Sequence, residues 1–310
     1  MRSDKPERLR KIIMKTISEL EAIARQCRVD TLKELRCAQS GHPGSSLSLM
    51  DVMVALYFGG FVRHNPADPD WKDRDRVILS VGHAVPGLYS CLSHAGYSPV
   101  AKLSGLRQYG TGLEGHAKRH TFPGIECSSG SLGQGLSVGV GLALAAKLRS
   151  EASRVVVLMS DGEQEEGSVW EAVMSASKWG LDNLIAVVDK NGNQINGPTS
   201  VVMPTLDPIA DKYRASHWVA RDIQGNNMAE VMDGMKWAME AKGPAVLISH
   251  TETGFPISFM RGDYHWHHGV LTNPLFLKAM SDLKEPVSNE PDESWMPGYQ
   301  PVTQEEAKQS

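Results

Sequence analysis

Asp161 and Asn191 each follow an apolar run, in "VVVLMSDG" and "LIAVVDKNGN", with 29 residues between them. That interval holds one helix and one strand, so an acid and an amide would stand at the carboxyl ends of neighbouring strands. Open α/β sheets gather their ligands there. A carboxylate, an amide oxygen and a main-chain oxygen from "NGN", at Asn193, are hard donors of the kind Mg²⁺ takes. Diphosphate oxygens and water would complete its shell, and Ca²⁺ or Mn²⁺ would accept the same donors. Gly162 lets the main chain approach such a group, and a helix beginning near Ser168 would turn its positive end toward it. Read singly, Asp-Gly and Asn-Gly are ordinary turn dipeptides; their order within alternating strands and helices is what points to a site.

Eleven histidines add proton-moving capacity. Four stand in glycine-flanked loops where a side chain can face a cleft: His42 in "SGHPG", His83 in "SVGHA", His116 in "EGHAK" and His268 in "HHGV". A neutral imidazole both accepts and donates protons near pH 7, which suits chemistry on hydroxyl groups. His64, His94, His120, His217 and His250 lie in no motif. His265, His267 and His268 have the composition of a metal site, but they are too tightly spaced for paired zinc ligands and no cysteine accompanies them. The loop "SSGSLGQG", residues 128 to 135, has glycines that permit close backbone approach to a ligand. Glu163 and Glu165 read as part of a solvated acidic face.

Several elements must position these groups. Residues 5 to 36 have helical apolar spacing, and "SGHPGSS" breaks it. "LSLMDVMVALYFGGF" resumes it as a second helix stopped by Gly59 and Gly60. "DRVILSVGHA" is a short buried strand running into a loop, and "GLYSCLSHAG" is helical. Residues 107 to 135 form a glycine-punctuated loop, long enough to suggest function. A small-residue helix follows, with Gly139, Gly141, Ala143, Ala145 and Ala146 suited either to interior packing or to a subunit interface. Strands at "RVVVLMSD", "NLIAVVDK", "HWVARDI" and "AVLISHT" then alternate with helices at "SVWEAVMSASKWG" and "NMAEVMDGMKWAMEAKG". The pattern predicts an α/β fold, a mostly parallel sheet with helices on both faces. One domain is expected over residues 1–284, with an acidic, proline-bearing tail over 285–310.

The bulk numbers exclude several classes. A net charge of −4 gives no general attraction to nucleic acid or anionic membranes. No apolar run approaches 18 residues, and the basic N-terminus lacks the apolar segment of a secretory signal. Four scattered cysteines without a CxxC pair predict reduced thiols in a cytoplasmic protein.

"SDG…VVDKNGN" resembles the thiamine diphosphate motif, in which Gly-Asp-Gly is followed some thirty residues later by Asn; Ser160 stands where that motif has its first glycine. With "SGHPGSSLSLMDVMVAL", "DRVILSVGHAVPGLYS", "GSLGQGLSVGVGLALA" and "SDGEQEEGSVWEA", the chain resembles the N-terminal, diphosphate-binding part of transketolase from about residue 15 to 275. Its ending "ISFMRGDYHWHHGVLTN" is similar to transketolases divided between two polypeptides.

The resemblance implies a thiamine-diphosphate-binding fold and a set of roles. Asp161, Asn191 and Asn193 would hold Mg²⁺, with Gly162 beside them. His83 and His268 would contact the diphosphate, with His267 an adjacent competitor of His268. Gly130 and Leu132 would support the thiamine, Leu132 at its aminopyrimidine. His42, His116 and His268 would meet the sugar, although Ala117 stands where the family has proline after the histidine. Glu166, and Glu171 nearby, would lie at a subunit interface beside the cofactor. The implied activity is transfer of a two-carbon ketol (glycolaldehyde) unit from a ketose phosphate to an aldose phosphate. It would require a second subunit carrying the pyrimidine-binding domain, both chains pairing in a heterotetramer. Pentose phosphates, branched sugars and sulfo-sugars are all compatible as substrates. The alternative, the alpha subunit of a thiamine-dependent 2-oxo acid dehydrogenase, should lack the histidines of "SGHPG" and "SVGHA". A non-catalytic thiamine-binding module fits the intact site less well, and no GxGxxG supports a dinucleotide-binding oxidoreductase.

Overall fold

The computed structural model describes residues 15–286. Its elements are, in chain order, α1 (Ile17–Ala38), α2 (Pro43–Ser48), α3 (Met50–Phe58), β1 (Arg76–Leu79), α4 (Val85–His94), α5 (Gly135–Leu148), β2 (Val155–Ser160), α6 (Gly167–Lys178) and β3 (Leu184–Lys190). There follow a two-residue pair, β4 (Asn193–Gln194) and β5 (Gly197–Pro198), then α7 (Thr199–Val202), α8 (Ile209–Ala215), β6 (Val219–Gln224), α9 (Met228–Met239), β7 (Ala245–His250) and α10 (Asn273–Asp282).

The runs Val155–Met159 and Leu184–Val188 are apolar at every position and buried at every position, as strands covered on both faces must be. They form the middle of a five-stranded parallel sheet of order β1-β2-β3-β7-β6. Alternate residues face opposite ways along a strand. Val156, Leu158, Ile185 and Val187 therefore pack with α1, α3, α4, α9 and α10 in one core. Val155, Val157, Met159, Ala186 and Val188 pack with α5, α6 and α8 in the other. Helices cover both faces of a parallel sheet, as the periodicity predicted.

Some boundaries differ from the sequence reading, for local reasons. α1 starts at Ile17 because Thr16 and Glu19 form a reciprocal capping box, and it ends where Gln39 turns left-handed at φ 50°. The expected beginning of this helix before residue 15 lies outside the described residues. The second helix is two helices jointed at Leu49. The first begins inside the expected break, because Pro43 occupies a first-turn position where its missing N–H costs nothing. Of the expected tail, only residues 285 and 286 are described, and Glu285 ion-pairs with Arg25 at 2.9 Å. Among the described residues no helix is long and apolar enough to cross a membrane.

Because all five strands run the same way, their carboxyl ends open on one edge. The loops after β1, β2, β3 and β7 meet there.

Candidate functional site

β2 and β3 stay in register to their ends, Ser160 opposite Asp189. Just beyond, the Asp161 N–H donates to the Asp189 carbonyl at 3.1 Å. The Asp161 carboxylate accepts from Gly162 N on one oxygen and from Gly192 N on the other, each at 2.8 Å. Gly192 lies between Asn191 and Asn193, so this bond joins the two loops that the motif reading required to meet. Asn191 donates its amide to Asp189 Oδ2 at 3.0 Å, while its Oδ1 accepts Asn193 N at 3.0 Å. The Asn193 amide donates to Thr253 Oγ1 at 2.9 Å and to the Gly262 carbonyl at 3.2 Å. Asn193 would thus reach a cation through its main-chain oxygen. Gly162 is pressed against Gln194, whose side chain lies 3.2 Å from where a Cβ would stand.

Asp161 is buried, and burial, aided by the charge of Asp189, pushes its carboxyl up to about 7 against the pull of the backbone N–H groups of Gly192, Gly162 and Asp161 itself. Burial likewise raises Asp189 to about 6, opposed by bonds from Thr251, Ser48 and Asn191. Among the described residues no ion pair neutralises either carboxylate. Two adjacent buried acids without a cation are costly, so a bound cation would fit. Among the described residues no three His, Cys, Asp or Glu side chains gather as a metal site. A cation here would therefore depend on one carboxylate with amide and main-chain oxygens, the hard-donor mix suited to Mg²⁺.

The four loop histidines converge, with His267 among them. From the His42 ring the centroids of His268, His83, His267 and His116 lie at 4.8, 5.1, 5.6 and 5.7 Å. His83 and His267 are 4.8 Å apart. His42 immediately precedes α2, His83 sits in a single 3₁₀ turn after β1, and His267 ends another. Gly44 permits the packing of α2 on this last turn: a Cβ there would lie 2.8 Å from the Trp266 carbonyl. His83 is buried with Nε2 3.2 Å from Ser45 Oγ, whereas His116 and His268 are exposed at the rim. Burial lowers His42 to about 2, with the neighbouring His83, His267, His268 and Arg107 adding to it, and lowers His83 to about 3. His116, His267 and His268 shift down as well, again chiefly by burial. Each of these shifts favours the neutral ring at neutral pH.

Glu163 corrects the sequence reading. Expected on a solvated acidic face, it is fully buried. Its Oε1 accepts from Gly133 N at 2.7 Å and from Ser80 Oγ, and its Oε2 accepts from Ser160 N at 3.3 Å. Ser80 Oγ in turn accepts Gly135 N at 3.0 Å. One carboxylate thus ties the end of β1, the glycine loop and the end of β2. Glu165 is exposed, as expected. Asp189 was also missed: it holds α2, Asn191 and the β7 loop together through Ser48 (2.7 Å), Asn191 and Thr251 (2.5 Å). No local signal marks either residue, since Ser80 and Gly133, and Ser48 and Thr251, are distant in sequence.

The glycine loop lies beside the histidines. A Cβ at Gly130, whose φ is +152°, would be 3.7 Å from the His116 ring, and one at Gly82 would be 2.9 Å from Gly130 N. Leu132 is half-buried, and Glu166 and Glu171 are exposed. Gly133, at φ +81°, would place a Cβ 2.6 Å from that of Glu166.

The family described as "Transketolase, thiamine diphosphate binding domain" matches residues 19–297. The 6-deoxy-6-sulfo-D-fructose transketolase subunit SqwG of Clostridium sp. (strain MSTE9) is 38% identical over 86% of this chain and 97% of its own length. An apulose-4-phosphate transketolase subunit of Phocaeicola vulgatus is 40% identical over 80% of this chain and 88% of its own. Among solved structures, transketolase from Leishmania mexicana superposes with a TM-score of 0.82 at 28% identity, covering 92% of this chain and 44% of that one. Transketolase from Campylobacter jejuni gives 0.83 at 27% identity, over 91% and 46%. The chain spans less than half the length of these solved chains and nearly all of the two subunits.

Proposed function

The chain belongs to the transketolase family through its thiamine diphosphate-binding domain, and on that premise we propose how it works. It is one subunit of a thiamine diphosphate-dependent ketol transferase, completed by a second polypeptide that carries the pyrimidine-binding domain. The observation that carries this reading is the joining of the Asp161 and Asn191 loops around two uncompensated buried carboxylates, beside a cluster of neutral histidines. Asp161, the Asn191 amide and the Asn193 main-chain oxygen would hold Mg²⁺ and, through it, a diphosphate. His83 and His268 would contact the diphosphate, while Gly130 and Leu132 would support the rings and Glu166 would face the partner. When bound, thiamine diphosphate supplies a carbanion able to accept and release a two-carbon unit.

The residues of this chain supply position and proton transfer. His42, His116 and His268 orient the hydroxyls of donor and acceptor sugars, accepting a proton as the donor's carbon–carbon bond breaks and returning one as the acceptor's forms. Burial keeps these rings neutral, so a lone pair is available at neutral pH. The relatives above are named as subunits, which supports the two-polypeptide form; the proposed assembly is a heterotetramer with paired copies of each chain. Those relatives are named for 6-deoxy-6-sulfo-D-fructose and apulose-4-phosphate, so ketoses bearing a phosphate or a sulfonate are the donors to assay first. Four scattered cysteines without a CxxC pair suit a reducing compartment such as the cytoplasm. The 2-oxo acid dehydrogenase alternative is less supported, since both histidines it should lack are in the cleft. The test is ketol transfer with thiamine diphosphate and Mg²⁺, by the pure chain and by the chain with its co-encoded partner. Activity only in the mixture is expected, and transfer by the pure chain would overturn the two-subunit reading.

A further inference from the structure

Arg107 entered none of the roles above, yet it reaches the centre of the histidine cluster. Its Nη2 lies 3.3 Å from His42 Nδ1, and its Nη1 donates to Ser40 Oγ at 2.5 Å. The fork therefore bridges the side chains of the residues on either side of Gly41. The arginine itself is held: its φ is +58°, its N–H donates to the Leu113 carbonyl at 2.8 Å, and its guanidinium lies flat against Gly115. A Cβ at Gly115 would stand 2.6 Å from Nε and 3.0 Å from both Cζ and Nη2. Nε is buried without a hydrogen-bond partner, and the group forms one wall of an open hollow of about 830 Å³ shared with His116.

A guanidinium has donors only and stays charged. The His42 nitrogen that meets it must then present a lone pair. We propose that Arg107 is a positioning residue for His42, fixing the imidazole in the tautomer that carries its proton on Nε2. The cationic fork also opposes protonation of His42, His116 and His268, keeping the cluster neutral. The catalytic consequence rests on the role of His42 proposed above; the tautomer does not.

The test is long-range proton–nitrogen NMR of the full chain with labelled histidine, the His42 signals assigned by their loss in His42→Gln. The wild type should show Nε2–H with Nδ1 unprotonated. Arg107→Met should give a mixture of tautomers, and Gly115→Ala, which displaces the guanidinium without removing it, should shift the signals the same way. In the two-subunit complex, Arg107→Ala should lower kcat about 10- to 100-fold, up to the cost of a reacting group misplaced by about 1 Å, with partial recovery on adding methylguanidinium. A proton on Nδ1 in the wild type overturns the proposal, and so does an unaltered tautomer in both variants. A raised KM for anionic sugars with the His42 signals unchanged would likewise overturn it, making Arg107 a substrate contact instead. Should Arg107→Met fail to fold, the wild-type and Gly115→Ala spectra decide. Absence of ketol transfer would count against the functional reading and leave the tautomer result standing.

Discussion

Two glycines six residues apart in α5 should respond oppositely to the same substitution. A Cβ on Gly135 would lie 2.3 Å from both Ser80 Cβ and Oγ and 2.8 Å from Ser80 Cα, whereas one on Gly141 meets nothing within 4 Å. Carbon atoms in contact settle at about 3.5–4.0 Å, so Gly135→Ala must move the start of α5 from the end of β1 by about 1 Å. Overpacking of this kind costs about 1–3 kcal/mol. Gly141→Ala has no clash to offset its helix-propensity gain of about 1 kcal/mol. For a domain of this size each kcal/mol moves Tm by about 2–4 °C, so the two variants should separate by about 4–16 °C in thermal unfolding of the chain. The displacement also drags residues 130 to 133, because Gly133 and Gly135 are bonded to the same Glu163–Ser80 pair. Thiamine diphosphate affinity should therefore fall in Gly135→Ala and hold in Gly141→Ala, by calorimetric titration of the complex. Equal Tm and equal affinity in the two variants would refute the steric argument and the anchoring of the loop with it.

Glu163→Ala strips the acceptor from two buried N–H groups, Gly133 and Ser160, at about 1–3 kcal/mol each; a lower Tm and at least about tenfold weaker cofactor binding are expected in the same titration. Glu34 is buried with neither oxygen bonded, and burial, then the charges of Asp30 and Cys27, hold its carboxyl well above the ordinary 4.5. An acid raised by folding carries no penalty below its unfolded value. Above it, stability falls by about 1.4 kcal/mol per pH unit until the raised value is passed. Wild-type Tm should accordingly fall as pH rises from 5 to 7, and Glu34→Gln should flatten that slope; parallel curves would count against a protonated Glu34.

The fold was legible because the central strands are apolar throughout and the helices keep their period, so layering followed from Val155–Met159 and Leu184–Val188 alone. The loops bearing Asp161 and Asn191 were legible for the same reason: a strand end in a parallel sheet has a known place. Glu163 was not, because a glutamate two residues from Asp161 in "DGEQEEGS" looks solvated until Ser80, just past β1, and Gly133, in the glycine loop, arrive to cover it. Asp189 was hidden similarly, its partners Ser48 and Thr251 lying far along the chain on both sides. Arg107 reaches His42 only through a left-handed turn and a flat approach over Gly115, neither of which has a periodic signature. The joint at Leu49 escaped notice because apolar spacing continues across it, whereas the capping box at Thr16 was present in the letters and would have placed the start of α1.

The central claim is that the Asp161 and Asn191 loops hold one divalent cation that anchors the diphosphate. Titrating thiamine diphosphate calorimetrically into the two-subunit complex, with and without Mg²⁺, for wild type, Asp161→Ala and Asn191→Ala tests it most directly. Mg²⁺-dependent binding in the wild type that is lost in both variants is the predicted result, and wild-type affinity with unchanged Mg²⁺ dependence in Asp161→Ala would contradict it.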